Sequence, residues 1–234
     1  MAINWDFEQA WLKKLAAGLD AVAGVELRKQ IMEGRDSLSA EVAPEAVASW
    51  TYAMLDRLSS LLDAQAAQRV LTACACQYSK ENLQPVRQAY DRSHDVAVAH
   101  KMLQESFETF LHDTLQMSDE MVAEVVDRGW GVAGIHRENT IIATKIPKSG
   151  NLVSYLREPD HERKRHLYCH CPRIRHVVSE AGEVPHLYCY CGAGFYKGIW
   201  EEILQQPVEV EVLETVLDGG DVCKIAVYLP HGIS

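Results

Sequence analysis

The stretch 208-VEVEVLETVLDGGDVCKIAVYL-229 reads as two strands and the turn between them. Val208, Val210 and Val212 alternate with glutamates, which is the period of a half-buried strand. Val222 to Leu229 alternates again, and Asp218-Gly219-Gly220-Asp221 supplies residues that tolerate the positive φ of a tight hairpin. Upstream, Gly194 to Gln206 spaces Phe195, Ile199, Trp200, Ile203 and Leu204 for one face of a helix. Asn139 to Ile146 (NTIIATKI) is rich in β-branched residues and runs into the turn signal Pro147-Lys148-Ser149-Gly150. Asn151 to Arg157 is then expected as its partner strand, and Pro172 is expected to open a helix through Val177 and Val178 that stops near Gly182. An antiparallel sheet carrying helices follows.

The first 130 residues have another texture. Trp5, Trp11 and Leu15, then Val47, Trp50, Met54, Leu55 and Leu58, then Val96, Ala99, Leu103, Phe107 and Leu111, recur at helical spacing. Pro44 suits a first helical turn, and Ser118-Asp119-Glu120 suits the start of a helix ending near Gly129. The predicted fold class is therefore α+β, with a helical N-terminal region over 1–130 and an α+β domain over 131–234.

Within that second part a hexapeptide is duplicated. His166-Leu167-Tyr168-Cys169-His170-Cys171 recurs as His186-Leu187-Tyr188-Cys189-Tyr190-Cys191, identical at five of six positions. In an extended chain residues i and i+2 point to one side, so each Cys-x-Cys can aim both sulfurs one way. Four thiolates together suit zinc, which takes tetrahedral sulfur ligands at about 2.3 Å. Zinc knuckles more usually place two residues between their cysteines, so buried unmetallated thiols and a thiol-redox pair stay open as alternatives. His166 and His170 are further candidates for ligation or acid–base work, set against ordinary surface histidines. A third pair, Cys74-Ala75-Cys76, lies in a stretch expected to be helical from Leu71 to Tyr78. There i and i+2 diverge by about 200 degrees, which points to core residues unless the segment breaks before Ser79.

The bulk properties exclude more than they assign. A chain of 234 residues can bury a core without crosslinks, so its seven cysteines are not needed as a disulfide framework. Met1 to Asp20 lacks a signal-peptide pattern and no apolar run reaches a membrane span, so a cytoplasmic, reducing compartment is expected. The net charge of −10 argues against nucleic acid and anionic membrane as partners; a homodimer is compatible with the sequence. Arg163-Lys164-Arg165, with Arg173 and Arg175, forms a basic island that is either a paired surface or an anion site beside the thiols. Gly192-Ala193-Gly194 is either a tight strand-to-helix turn or an anion cradle. No Walker loop, dinucleotide fingerprint or readable Ser-His-Asp order occurs.

The stretch from Tyr188 to Pro230 resembles the C-terminal part of 4-vinyl reductase type domains, which are small-molecule-binding modules. The resemblance is carried by Cys191, Gly194, the helix to Gln206, Glu214, Gly220-Asp221 and Cys223. It implies a zinc ion held by Cys191, Glu214 and Cys223 beside a ligand pocket. The family's middle cysteine falls on Leu217 here, and the Asp221 to Cys223 spacing is one residue tighter, so Cys189, Cys169 or Cys171 would supply the missing ligand. The whole chain is also similar to uncharacterised bacterial proteins with a helical N-terminal region, some of them labelled as aminothiazoline-carboxylate hydrolases. The expectation is a zinc-stabilised protein that binds a small aromatic or hydrophobic carboxylate, with Trp130, Tyr190 and Phe195 among its aromatic walls, Arg173 as a clamp and His170 beside it. The alternatives are a zinc-dependent hydrolase with Glu214 or His170 as base, and a Cys-x-Cys redox protein.

Overall fold

The computed structural model describes residues 4–169, 171, 173–175 and 185–233. Helices α1 (Trp5–Val22), α2 (Val25–Ile31), α3 (Pro44–Leu61), α4 (Ala64–Ala73), α5 (Lys80–Ser93), α6 (Val96–Thr109) and α7 (Asp119–Asp127) precede the sheet. Their starts follow local chemistry. Asn4, Asp63, Ser79, Asp95 and Ser118 each accept a hydrogen bond from a first-turn backbone N–H, and Pro44 occupies the first turn of α3. Each cap satisfies a donor that the helix itself leaves without a partner.

Strands β1 (Ile135–Arg137), β2 (Thr140–Thr144), β3 (Glu209–Glu214) and β4 (Lys224–Tyr228) form one antiparallel sheet in the order β1-β2-β4-β3. Between β2 and β3 the chain makes α8 (Leu152–Arg157), α9 (His161–Tyr168) and α10 (Tyr190–Leu204). The α+β class and the helical N-terminal region are as expected from sequence. The terminal hairpin pairs Val210 with Val227 and Val212 with Ile225, with an irregularity between Val212 and Glu214. Its second arm lies centrally because β2 pairs on the other side, Ile141 against Val227 and Ala143 against Ile225. Lys145 N donates to Cys223 O at 2.9 Å, carrying the ladder one step past β2. That step brings the residue after β2 beside the first thiol of the hairpin.

Several expectations need correction. Asn151 to Arg157 is helical rather than a strand: Leu152 and Tyr155, three apart, are both buried, and β1 fills the place beside β2. The helix of Leu71 ends at Ala73, so Cys74 to Tyr78 are not helical. Gly192-Ala193-Gly194 lies inside α10, which starts at Tyr190. Gly194 serves close packing there, since a Cβ on it would stand 2.1 Å from Thr72 O of α4. The helix expected after Pro172 falls mostly outside the described residues; Arg173 to Arg175 form a turn. The change of texture near 130 is not a break in packing, for one hydrophobic cluster runs from Trp11 to Leu229 and α10 packs on α4 and α5.

Candidate functional site

Three separated segments bring thiols to one place. The chain leaving α9 carries Tyr168, Cys169 and Cys171. The 3-10 turn His186–Cys189 leads into α10 with Tyr188 and Cys189, and Cys223 precedes β4. Cys169, Cys171, Cys189 and Cys223 all line one cavity of about 20 Å³, together with Lys145, Tyr168 and Tyr188. That volume accommodates a single water-sized occupant, not an organic carboxylate.

Local backbone explains the placement. Cys169 leaves α9 in an extended conformation, φ −71 and ψ 118, and its thiol hydrogen-bonds that of Cys171. In the second copy Cys189 is in the right-handed helical region, φ −68 and ψ −13, and Cys191 is already within α10. The two sulfurs therefore part. Cys189 hydrogen-bonds Cys223, whereas Cys191 accepts a 3.3 Å hydrogen bond from Trp11 Nε1 of α1. Tyr168 locks the wall between them: its hydroxyl accepts from Cys223 N at 2.8 Å and donates to Lys145 O.

Lys145 sets the electrostatics. Its Nζ stands 3.6 Å from Cys171 Sγ. Burial alone would lower the lysine's pKa, but the neighbouring sulfurs of Cys171, Cys223 and Cys169 raise it well above its ordinary value. In return, the Cys169 hydrogen bond and the Lys145 charge hold Cys171 well below the usual thiol range. The Cys189 hydrogen bond, Lys145 and a backbone bond do the same to Cys223, less strongly. Cys169 and Cys189, the donors of the two pairs, move up. Cys191 is pushed up to about 12 by burial, against the pull of the Trp11 N–H. The region is thus a cation ringed by sulfurs, two of them inclined to be thiolates.

The remaining cysteines lie close by. Cys74 is buried at the end of α4 with its thiol on Val70 O at 3.3 Å. Cys76, expected in the core, is exposed because the helix ends at Ala73 before reaching it, and it lies within electrostatic reach of Lys14, Cys171 and Lys145.

The other sequence candidates are dispersed. Glu214 pairs with Lys224 at 3.1 Å on the hairpin, away from the cavity wall. Leu217, where the family pattern has a cysteine, does line the cavity. Arg173 is not open to a ligand: it forms an ion pair with Glu8 at 1% exposure on both sides, its guanidinium lies 3.9 Å from the Trp11 ring centroid, and Nη1 donates to Thr51 Oγ1. The charges meet without hydrogen-bond geometry, leaving both Glu8 oxygens without such a partner. Burial pushes the Glu8 carboxyl up against the Arg173 charge, and burial also lowers Arg173. Desolvation therefore outweighs attraction in both partners. Tyr190 is buried, Phe195 packs edge-on against Tyr78 and Tyr196, and Trp130 lies in a different cleft with Tyr155. His170 lies outside the described residues.

Sequence reasoning missed Lys145, Glu8 and Trp11. The signal for Lys145 was present: strand alternation puts it on the face of Ile141 and Ala143, both fully buried. Nothing local marks Glu8 as the partner of a residue 165 positions on.

The fit to zinc divides in two. The donors are right in chemistry and number, four thiols with a neighbouring ammonium to offset their charge. As placed, they form two sulfur–sulfur pairs, and among the described residues no group of three or more His, Cys, Asp or Glu side chains is arranged to hold a metal ion. No protein-family model, curated protein or solved structure matches this chain. No described helix is long and apolar enough to cross a membrane.

Proposed function

We propose that this chain is a zinc-thiolate protein in which Cys169, Cys171, Cys189 and Cys223 hold the ion, and that it binds a small organic molecule at a separate cleft. The observation that carries the metal half is the convergence of four thiols from three segments, with Lys145, on one ion-sized cavity. Zinc bound there would act as a crosslink, tying α9, the start of α10 and the terminal hairpin, and its binding free energy would add to folding. Lys145 would neutralise part of the excess negative charge of four thiolates. Such a set leaves no position for water, and Glu214 is engaged by Lys224, so hydrolysis is not the reading supported. The thiols are all free, which suits the reducing cytoplasm.

The test is metal analysis of the purified chain beside Cys171→Ser and Cys223→Ser. About one zinc per chain in the wild type and loss in both variants is expected; undiminished zinc in both would contradict the assignment.

A second reading is favoured by the sulfur pairs themselves. Cys171, as a thiolate beside Lys145, would attack a disulfide such as glutathione disulfide, and Cys169 would then displace the bound glutathione. Two thiols become one disulfide, and one glutathione disulfide becomes two glutathiones. If so, the free-thiol count falls by two in metal-free protein and Cys169→Ser stops at a stable mixed disulfide. A count unchanged by glutathione disulfide removes this reading.

A further inference from the structure

A second cavity, a cleft of about 310 Å³, gathers Arg128, Trp130, Thr144, Lys164, Asp221 and Lys224 from separated parts of the chain. The sheet sets two of them side by side. Thr144, the last residue of β2, is the ladder partner of Lys224, the first of β4, so both side chains leave the same face. Trp130 bridges to Thr144 from the loop after α7. Lys145 and Cys223, each one residue away, go to the thiol cavity instead.

Two donors here have nothing to donate to. Thr144 is 2% exposed and Trp130 3%. The Thr144 hydroxyl and the Trp130 indole N–H make no hydrogen bond among the described residues, yet neither atom is sealed from solvent. The little surface each residue keeps therefore includes its donor, and both residues line the cleft. Polar atoms so nearly buried normally have a partner.

The charges ask for the same kind of partner. Lys164 forms no ion pair among the described residues; its Nζ stands 5.5 Å over the Tyr155 ring, which holds the ammonium at the cleft without neutralising it. Arg128 and Lys224 pair with Glu124 and Glu214 across partly exposed side chains. Pairs of that kind contribute little and exchange partners readily. Asp221, the carboxylate that lines the cleft, is already engaged: His161 Nδ1 lies 2.9 and 3.1 Å from its two oxygens. Three cations and two neutral donors thus surround a concavity in a chain of net charge −10. An occupant built of acceptors satisfies them all, and a tetrahedral oxyanion is one.

We infer that this cleft binds a phosphate group, free or as the monoester of a small molecule, held by Lys164, Arg128 and Lys224 with Thr144 and Trp130 donating to its oxygens. The volume exceeds that of one oxyanion and leaves room for a small ester body. This names the place and the ligand chemistry of the small-molecule half of the proposed function and rests on that half; it does not depend on the metal.

The test is titration calorimetry on the full chain as purified, with inorganic phosphate, glycerol phosphate and glycerol as probes. Arg128→Gln, Lys164→Gln and Thr144→Val are compared with Lys101→Gln, an exposed lysine of α6 outside the cleft, and thermal transitions confirm that each variant is folded. Thr144→Val keeps the branched shape and removes only the hydroxyl. A dissociation constant below about one millimolar is expected for at least one of the two phosphates. Binding should weaken roughly fivefold in each cleft variant and hold in Lys101→Gln, while glycerol gives no heat. Tighter binding of the ester identifies a phosphorylated small molecule as the ligand, and tighter binding of the ion identifies free phosphate. Affinity that ignores the cleft substitutions overturns the cleft. Affinity that falls in both charge variants but not in Thr144→Val overturns the built site in favour of loose attraction to cations. No heat from either phosphate at about ten millimolar overturns the inference. Mass spectrometry of compounds released by denaturing the purified chain reports separately on the small-molecule half: an unphosphorylated organic compound there keeps that half standing while the phosphate site falls.

Discussion

The two copies of the hexapeptide share five residues and stand on different backbones. In the first, Cys169 leaves a helix in extended conformation, and its thiol pairs with that of Cys171 beside Lys145. In the second, Cys189 and Cys191 enter a helix, and their sulfurs go to opposite partners, Cys223 and Trp11. Both tyrosines are buried and face the same cavity. The lesson is that a Cys-x-Cys pair has no fixed geometry. Two residues apart means one side on a strand and nearly opposite sides on a helix.

The comparison can be broken most forcefully where the first copy is tied to the body. Arg173, two residues past Cys171, packs on Trp11, which in turn bonds Cys191, so this arginine joins both copies to α1. Arg173→Met leaves Glu8 buried without its counter-charge, and the expected loss is about 3–5 kcal/mol by urea denaturation at neutral pH. Glu8 already has its folded pKa raised, chiefly by burial. A group of that kind favours the folded state below its unfolded pKa, and that contribution is lost as pH rises through the folded value. Removing Arg173 raises the folded pKa further, so the variant's deficit should shrink on acidification. A deficit that does not depend on pH would show that Glu8 is not the cause.

The seat of the second copy is tested next. Gly194→Ala places a methyl against Thr72 O, where only 2.1 Å is available. The expected loss is about 1–3 kcal/mol, since α10 must shift off α4. Gly198→Ala, on the same helix with nothing within 4 Å of the added carbon, should instead gain about 0.5–1 kcal/mol from helix propensity. Equal effects would mean that α10 does not lie against α4 as described.

A smaller effect sharpens the contrast in chemistry. In metal-free protein at pH 7, iodoacetamide should modify Cys171 at least about tenfold faster than Cys191, because only the first is held as a thiolate. Peptide mapping with time measures it. Lys145→Met should narrow the gap by returning Cys171 toward an ordinary thiol, and a gap unmoved by that change would remove Lys145 from the explanation.

Much of the fold was legible because it is written locally. Ser118 and Pro44 begin helices where the sequence placed them, and the two arms of the terminal hairpin pair as expected. The link between them is longer than the tight Asp218–Asp221 turn expected, since β3 stops at Glu214 and a 3-10 turn, Val216–Asp218, precedes Gly219. Asn151 to Arg157 misled because β-branched Val153 beside Tyr155 and Leu156 fits a strand equally well, and only the helix lets Leu152 and Tyr155 be buried together. Of the site, the tyrosines and thiols were visible in the repeat. Which thiols group together was not, since that depends on where α10 begins, one residue past Cys189. The pairing of Arg173 with Glu8 was beyond reach, because it is made between chain segments with no shared pattern.

The division of labour between Cys189 and Cys191 is the most direct point of attack. Zinc measured by elemental analysis in Cys189→Ser and Cys191→Ser, with thermal transitions recorded beside it, separates the two. The account predicts that Cys189→Ser loses the metal and that Cys191→Ser retains about one ion per chain. Loss from Cys191→Ser with retention in Cys189→Ser would contradict it.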